Sequence, residues 1–324
     1  MTSGDERERL DFFYQVYGLT VQSELELPEL CPITPCKCEA TVRFGDVPDC
    51  LDDSINDFDW ISYSSRRCLL RIENIGRFLV EKGNTIIVDR RLDRSRERGF
   101  EVPAADVRVF LLGSAFGALL HQRDLLPLHV SAVESSGGIW AFTGNSGAGK
   151  STMAGWFHRK YSWPMISDDV SVIRPEFEEA LLFPGPRKLK LWEDAVEYLG
   201  CKDEKLVQDL TNTPKFQLYL SDLNQYQPQP MRGLVALERC DEGERPRLEK
   251  LKGAQALKVI MDAVYRPYMA EWFRDPGELM QNLVKLCNQV DVYRFRRQWA
   301  LEQMELQLNP LIDKIRIAEG LGKP

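Results

Sequence analysis

The sequence predicts an α/β protein of two domains: a β-rich N-terminal domain at residues 1–105, and a second α/β domain at residues 106–324 that ends in helical elements. Three observations predict this class. Short β-branched and aromatic runs fill much of the first hundred positions. Strand and helix patterns alternate between about 128 and 250, and apolar residues recur at helical spacing beyond residue 254. A length of 324 residues accommodates two domains.

The composition excludes several classes of protein. With 44% hydrophobic and 28% charged residues the chain is typical of a globular protein. The net charge of −7 argues against a broad electrostatic surface for nucleic acid or anionic lipid. The most apolar run, Val107 to Leu120, is shorter than the ~20 residues that cross a bilayer and contains Arg108, so it predicts a buried helix and no membrane span. The polar N-terminus lacks a signal-peptide core, so we expect a cytoplasmic protein; the sequence leaves open whether it forms a homo-oligomer.

The eight cysteines are interpreted as reduced thiols, since that compartment is reducing. Three of them, Cys31, Cys36 and Cys38, lie close enough in sequence to raise the question of a zinc site. Their spacing lacks a paired CxxC pattern and no histidine lies near them. We therefore expect no metal at these cysteines.

The other elements follow in chain order. The N-terminal strands form a β-rich platform without a catalytic constellation, and Lys82-Gly83-Asn84 is typical of a hairpin turn. The predicted strands are Phe12 to Tyr17, Leu69 to Ile75, Arg77 to Glu81, Thr85 to Asp89 and, near the end of the chain, Val290 to Phe295. Helices are predicted from Val107 to His121, from about Ala254 to Val264 with an interruption at Pro267, from Gly277 to Asn288, and from Trp299 to Ile317.

One motif dominates the second domain. An apolar strand, Gly138 to Thr143, runs into a full match to GxxxxGK[ST], and a helical pattern follows to Tyr161. Glycines allow the backbone to turn its N–H groups toward phosphate oxygens, the lysine reaches the β- and γ-phosphates, and the hydroxyl after it ligates Mg²⁺. The flanking strand and helix favour this interpretation over a chance glycine-rich turn. The predicted nucleotide-binding residues are Gly144, Asn145, Ser146, Gly147, Ala148, Gly149, Lys150, Ser151 and Thr152.

An acidic pair, Asp168-Asp169, follows the next predicted strand, Trp163 to Ile166. This position, one strand–helix–strand step after the loop, lies beside the phosphates of a bound nucleotide. One carboxylate can hold Mg²⁺ while the other accepts a proton from an attacking hydroxyl. The alternative is a solvated turn that ends the strand.

Basic and imidazole side chains supply further candidates. Strand alternation places His129 on the same face as Ser131. If this strand pairs with the strand that enters the loop, His129 can lie near the loop, although a lone histidine in a strand is often structural. Lys188 and Lys190 share one face of a predicted strand and could contact phosphates or an acidic substrate; a solvated basic face is the alternative. Lys215 and Arg232 are further candidates for substrate binding.

These residues resemble the catalytic domain of the HPr kinase/phosphorylase family. The resemblance runs through LHVSAVESSGGIWAFTGNSGAGKSTMAGWF, SDDVSVI, FPGPRKLKLW and PMRGLVALER. It implies a P-loop core related to phosphoenolpyruvate carboxykinase, with His129 as the histidine before the loop and Arg232-Gly233 as the Arg-Gly element. It also implies that Asp168 is the base on an acceptor serine, that Asp169 and Ser151 hold Mg²⁺, and that Lys150 stabilises the transferred phosphoryl group.

The chain departs from the family at two positions. Pro230 stands where the family has a glutamate before the Arg-Gly element, and Val235 stands where it has a second glycine. These departures predict a forward-only kinase and weigh against HPr as the substrate. The runs VYGLTVQSELELPEL, RFLVEKGNTIIVD and VFLLGSAFGALLHQRDLLPLHVSAV resemble the HPr-kinase-like proteins of lasso-peptide clusters, which phosphorylate the C-terminal serine of a precursor peptide.

The resemblance therefore implies an ATP- and Mg²⁺-dependent kinase whose partner is a precursor peptide ending in serine. Two alternatives remain at this point. One is a kinase for an HPr-like protein or a small molecule such as free serine. The other is a nucleotide-dependent peptide-binding protein that transfers no phosphate.

Overall fold

The computed structural model describes residues 11–91, 102–201, 206–208, 215–219, 227–241 and 243–320. The architecture is mixed α/β, as predicted. The chain divides into two compact units: Met1–Asp124 with Tyr268–Arg274, and Leu125–Pro267 with Asp275–Pro324.

Unit 1 is built on a nine-stranded sheet within its described residues, in the order β3-β1-β2-β4-β9-β8-β7-β6-β5. The predicted hairpin is confirmed: β8 and β9 pair antiparallel, and Lys82 and Gly83 between them both have positive φ. Its strands are β1 (Phe12–Val16), β2 (Leu19–Ser23), β3 (Cys31–Pro32), β4 (Ala40–Phe44), β5 (Asn56–Asp57), β6 (Ile61–Tyr63), β7 (Arg67–Ile72), β8 (Gly76–Glu81) and β9 (Thr85–Asp89).

A helical run follows the sheet and belongs to unit 1. It comprises α1 (Ala104–Phe110), a π-helical segment at Leu111–Ala115, and α2 (Phe116–Gln122). At 19 residues this helical run is longer than the helix predicted from the sequence. By length and composition it could cross a membrane, which corrects the expectation that no segment of the chain is long enough to do so. In its most apolar window 61% is buried inside the protein, so most of this window packs against other parts of the chain.

Contacts at the end of α2 explain why the unit boundary falls at 124/125 and not at the predicted 105/106. The backbone N–H of Gly83 donates to the side-chain oxygen of Gln122 at 2.8 Å. A guanidinium N–H of Arg123 donates to the carbonyl of Gly83 at 3.1 Å. These two bonds attach the helical run to the β8–β9 turn, so the run completes the N-terminal unit.

Unit 2 contains a mixed sheet in the order β10-β14-β15-β19-β12-β11-β13, with β21 beside β19 and β20 beside β21. The predicted regular alternation of strand and helix is not observed. Between β10 and β20 the described residues form two helices, and most neighbouring strands of the sheet pair antiparallel. Its elements are β10 (Leu126–Leu128), β11 (Ser131–Ser135), β12 (Gly138–Thr143), α3 (Lys150–Tyr161), β13 (Met165–Ser167), β14 (Ser171–Arg174), β15 (Leu181–Phe183), β16 (Lys188–Trp192), α4 (Glu193–Tyr198), β17 (Leu206–Gln208), β18 (Lys215–Tyr219), β19 (Gln229–Arg239), β20 (Arg247–Leu251), α5 (Gly253–Asp262), α6 (Pro267–Phe273), α7 (Pro276–Gln289), β21 (Asp291–Arg297) and α8 (Met304–Ala318), with a 3₁₀ turn at Leu301–Gln303.

Three strands of this sheet are parallel: β12, β19 and β21. Their carboxyl ends therefore meet at one edge, which is where open α/β sheets bind ligands. Beneath this edge α3, α8 and the three strands share one apolar cluster. Its aromatic members include Phe142, Phe157 and Phe295, all fully buried. This core fixes the position from which the glycine-rich segment departs.

Helix α6 comes from the second half of the chain, yet most of it, from Tyr268 onward, belongs to unit 1. The ring of Trp272 stacks on Tyr63 with a centroid distance of 4.2 Å and on Phe58 at 6.2 Å. Tyr268 meets Trp60 edge to face. The sequence predicted only an interruption at Pro267, where the structure begins a new helix, a position that suits proline because its missing N–H has no helical partner.

Candidate functional site

The glycine-rich loop, residues 144–149, joins the end of β12 to the start of α3. Gly144, Gly147 and Gly149 have φ of +143°, +82° and +81°, which only glycine adopts without strain. A Cβ on Gly144 would lie 2.9 Å from the carbonyl oxygen of Leu237 on the neighbouring strand. A Cβ on Gly149 would likewise lie close to the guanidinium of Arg297. At Gly144 and Gly149, therefore, both the backbone conformation and the lack of space for a side chain require glycine.

Lys150 is the first residue of α3 and its side chain is buried. Its ammonium donates to the carbonyl of Gly144 at 2.9 Å and to that of Asn145 at 3.3 Å. The side chain thus folds back over the loop that precedes it. A positive charge lies above a helix N-terminus, where both the charge and the backbone N–H groups attract anions.

Asp168 follows β13 and is buried, with 2% of its surface exposed. One carboxylate oxygen accepts hydrogen bonds from the hydroxyls of Ser131 and Ser151, the latter at 2.8 Å. The other accepts the backbone N–H of Lys190 at 2.8 Å. Burial, together with the neighbouring charge of Asp169, raises the pKa of Asp168 more than these three bonds lower it. Both oxygens are occupied by protein donors, so this carboxylate is held in one orientation next to the loop hydroxyl.

Asp169 occupies a different environment from its neighbour. Its φ is +82°, a value that costs energy for any residue other than glycine and that clusters at functional sites. About a third of its side chain is exposed, with one oxygen 3.3 Å from Nε2 of His129 and the other 3.8 Å from Nζ of Lys190. Burial would raise the pKa of Asp169, but the His129 hydrogen bond and the charges of Lys190, His129 and Lys188 outweigh it and hold the pKa far below its usual range.

His129 lies just before β11 and links the acidic pair to the loop. Its carbonyl accepts the hydroxyl of Thr143, the last residue before the glycines, at 3.3 Å. Its backbone N–H donates to the carbonyl of Ala263 at 2.6 Å, and its ring meets Tyr265 edge to face. The side chain is 38% exposed, so the imidazole is accessible to a second molecule. The predicted proximity of His129 to the loop is confirmed.

The two lysines of β16 border the acidic pair. Lys190 contacts both aspartates, one through its backbone N–H and the other through its ammonium. Lys188 is buried and adds positive charge near Asp169. The predicted alternative of a solvated basic face does not apply, since neither lysine is exposed. Thr152 is buried in the first turn of α3.

The structure pairs the loop hydroxyl of Ser151 with Asp168. The family resemblance implied Asp169 as the partner of Ser151 in holding a metal ion. The difference arises because β13 ends at Ser167, which leaves Asp168 at the strand end facing α3, while the positive φ of Asp169 turns its side chain toward His129.

Arg232, a candidate for substrate binding, does not lie near the loop. Strands β12 and β19 are parallel, and Arg232 sits at the amino end of the pair, where its guanidinium donates to Gly137 and contacts Glu179. The loop lies at the carboxyl end, and a six-residue strand spans about 20 Å. Arg232 therefore belongs to the opposite edge of the sheet. The side chain of Lys215 lies outside the described residues.

Gly233, the other half of that Arg-Gly element, has a packing role. It lies opposite Trp140 in the parallel register, and a Cβ on it would approach the indole ring to 2.4 Å. We expect Gly233→Ala to destabilise the protein by about 1–3 kcal/mol through overpacking. Chemical denaturation of Gly233→Ala, Trp140→Leu and the double variant would measure this. The double variant should lose less than the sum of the single ones; strict additivity would contradict the packing role.

Sequence reasoning missed two residues of this region. Ser131 was placed on the correct face by alternation, but its hydrogen bond to Asp168 was not foreseen. Arg297 lies at the end of β21 with its guanidinium against Gly149, and no local pattern marks it. Within the described ranges no group of three His, Cys, Asp or Glu side chains could hold a metal ion, and the eight cysteines are free thiols.

No protein-family model matches the chain, and no curated protein sequence matches it.

Proposed function

We propose that this chain is an ATP- and Mg²⁺-dependent kinase that phosphorylates a serine hydroxyl, at the C-terminal end of a ribosomal precursor peptide of the lasso type. The observation that carries the proposal is the 2.8 Å hydrogen bond between Ser151 and Asp168 at the start of α3, beside Lys150 and the three positive-φ glycines. A loop hydroxyl bound to a strand-end aspartate is the arrangement that P-loop proteins use around a nucleotide. We accordingly propose an HPr-kinase-like P-loop core and a cytoplasmic location.

The donor set supports magnesium. The Ser151 hydroxyl and the Asp168 carboxylate are oxygen ligands, which Mg²⁺ prefers over nitrogen or sulfur. A bound Mg²⁺ would neutralise charge on the phosphates of the nucleotide. In this proposal Ser151 and Asp168 hold the metal, the loop backbone and Lys150 bind the phosphates, and the burial of Asp168 keeps competing water away from that carboxylate.

Asp169 and His129 are assigned to the acceptor hydroxyl. Both side chains are partly exposed, whereas Asp168 is not, so a substrate can reach them without rearrangement. The low pKa of Asp169 makes it a weak base but keeps it ionised, so it can accept a hydrogen bond from a serine hydroxyl and orient it. Orientation is the larger requirement, because phosphoryl transfer passes through a loose transition state that needs little proton abstraction. This reverses the roles implied by the family resemblance.

The lysines of β16 favour an acceptor that carries negative charge. Lys190 is 24% exposed at its side chain and lies beside Asp169. The C-terminal serine of a peptide carries its own α-carboxylate carbon two bonds from the carbon that bears the hydroxyl group. A terminal carboxylate would therefore lie within reach of these cations when the hydroxyl meets Asp169, which an internal serine does not offer.

An acceptor panel tests the proposal. The full chain is incubated with ATP, Mg²⁺ and four acceptors: a peptide ending in serine, the same peptide with an amidated C-terminus, free serine, and an HPr-like protein. Mass spectrometry should find one added phosphate on the first peptide and at least about tenfold less on its amide, as expected for the loss of one charge-assisted contact. Transfer to free serine alone would identify a small-molecule kinase. Nucleotide binding with no phosphorylated acceptor would identify a binding protein and end the kinase proposal.

A further inference from the structure

Arg297 is a buried arginine at the carboxyl end of β21. Residues alternate along this strand, so that Tyr293, Phe295 and Arg297 point into the apolar cluster while Arg296 points to solvent. Only 3% of Arg297 is exposed. An arginine is rarely buried to this degree without a partner of opposite charge.

No carboxylate among the described residues pairs with Arg297. One guanidinium N–H donates to the carbonyl of Gln298 at 3.0 Å, and the Nε–H has no hydrogen-bond partner within the described chain. Burial lowers the pKa of Arg297 to about 10, so the group still carries its full charge at neutral pH. A buried charge in this state destabilises the protein that contains it.

The position of this charge points to a ligand. The carboxyl end of β21 lies two strands from that of β12, with β19 between them. The Arg297 side chain reaches back across β19 to the glycine-rich loop, where a Cβ on Gly149 would lie 3.0 Å from its Nη2. Gly149 immediately precedes Lys150. Two cations therefore flank the last glycine of the loop, one above the helix N-terminus and one buried against the loop.

We propose that Arg297 is a second cation of the phosphate site, and that a polyphosphate bound in the glycine-rich loop supplies the negative charge that this arginine lacks. The inference rests on the proposed nucleotide site but not on phosphate transfer. Arg297 acts as a ligand-binding residue: its guanidinium lies against Gly149, and its charge raises the affinity of the loop for diphosphate and triphosphate groups. Such a residue lowers the stability of the empty protein in exchange for ligand affinity.

The combination of lower stability and higher ligand affinity distinguishes a ligand-binding role of Arg297 from a purely structural one. Methionine has a similar length to arginine and no charge. If Arg297 serves the ligand, Arg297→Met should melt at the same temperature as the wild type or higher without anion, while the stabilisation that pyrophosphate confers should fall. If Arg297 only supports packing, the same variant should melt lower and bind pyrophosphate as before.

The experiment uses the full chain and inorganic pyrophosphate as the probe. Calorimetric titration and thermal unfolding are measured for the wild type, Arg297→Met, Arg297→Gln, Arg297→Lys and the control Arg296→Met. The control removes the same charge one residue earlier, from an exposed side chain that pairs with Glu238. We expect the pyrophosphate Kd to rise at least about tenfold in both neutral variants, to change less in Arg297→Lys, and to stay within about twofold in the control, as for an exposed ion pair.

Each outcome decides the question. Wild-type affinity in Arg297→Met and Arg297→Gln would overturn the proposal, and so would failure of both neutral variants to fold, because the charge would then stabilise the empty protein. A wild type that binds pyrophosphate but phosphorylates no acceptor ends the kinase function and leaves this inference intact. A wild type that binds no pyrophosphate ends both.

Discussion

Lys150→Met is expected to reduce phosphate transfer from ATP by about 10²–10³-fold, the loss associated with removing one preorganised group that stabilises transition-state charge. Methionine keeps most of the length of the side chain and removes only the ammonium. That ammonium now bonds the carbonyls of Gly144 and Asn145, from which it can transfer to phosphate oxygens when they enter the loop. The loop backbone is unchanged, so nucleotide binding should weaken less than turnover.

Steady-state kinetics with a serine-terminated peptide would measure the effect. Lys160→Met is the matched control, because Lys160 lies in the last turn of the same helix and pairs with Glu305 at the surface. It should keep wild-type kcat. If Lys150→Met also keeps wild-type kcat while remaining folded, the reaction does not take place at this loop.

Substitution of each aspartate of the acidic pair should cause a different kinetic defect. Asp168→Asn is expected to raise the Mg²⁺ concentration needed for half-maximal activity, because Asp168 holds the Ser151 hydroxyl at the proposed metal position. Asp169→Asn is expected to leave the Mg²⁺ requirement and the KM for ATP nearly unchanged, and to lower kcat by about 10²-fold, because it removes the ionised oxygen that orients the acceptor hydroxyl.

Stability offers an independent readout on the same variants. Because burial raises the pKa of Asp168, its ionised form is disfavoured in the folded protein, and asparagine removes that cost while keeping an oxygen for the N–H of Lys190. Asp168→Asn should therefore melt no lower than the wild type. Asp262→Asn, on the exposed side of α5, is the control for both measurements. A raised Mg²⁺ requirement in Asp169→Asn and not in Asp168→Asn would restore the roles that the family resemblance implies.

The parts of the site that the sequence predicted are those set by local geometry. The loop, Lys150 and Ser151 are neighbours in the chain, and a strand on one side and a helix on the other leave few ways to arrange them. The acidic pair was also predictable, because it ends the strand that follows α3. Which aspartate contacts Ser151 and which contacts His129 was not predictable, since it depends on the positive φ of Asp169, which its sequence does not reveal.

The features that the sequence did not predict depend on the order and register of the strands. Arg232 was a candidate for substrate binding, but it lies at the edge of the sheet opposite the loop, because β19 pairs parallel with β12, and a parallel register cannot be derived from one strand. Arg297 is about 150 positions from Gly149 in sequence and reaches it because β19 lies between β21 and β12. Neither relation has a local signal. The same limit explains why α6 was not assigned to the N-terminal unit.

That assignment of α6 affects the order in which the chain can fold during synthesis. The N-terminal unit includes residues that the ribosome adds about 140 positions after Asp124, on the order of ten seconds later at typical elongation rates. Until then Phe58 and Tyr63 lack the ring of Trp272 that stacks on them. The nascent unit therefore exposes an aromatic surface through most of translation, the kind of surface that chaperones bind and that favours aggregation. The last part of the first unit, Tyr268–Arg274, is added only after every strand of the second unit except β21 has been synthesised.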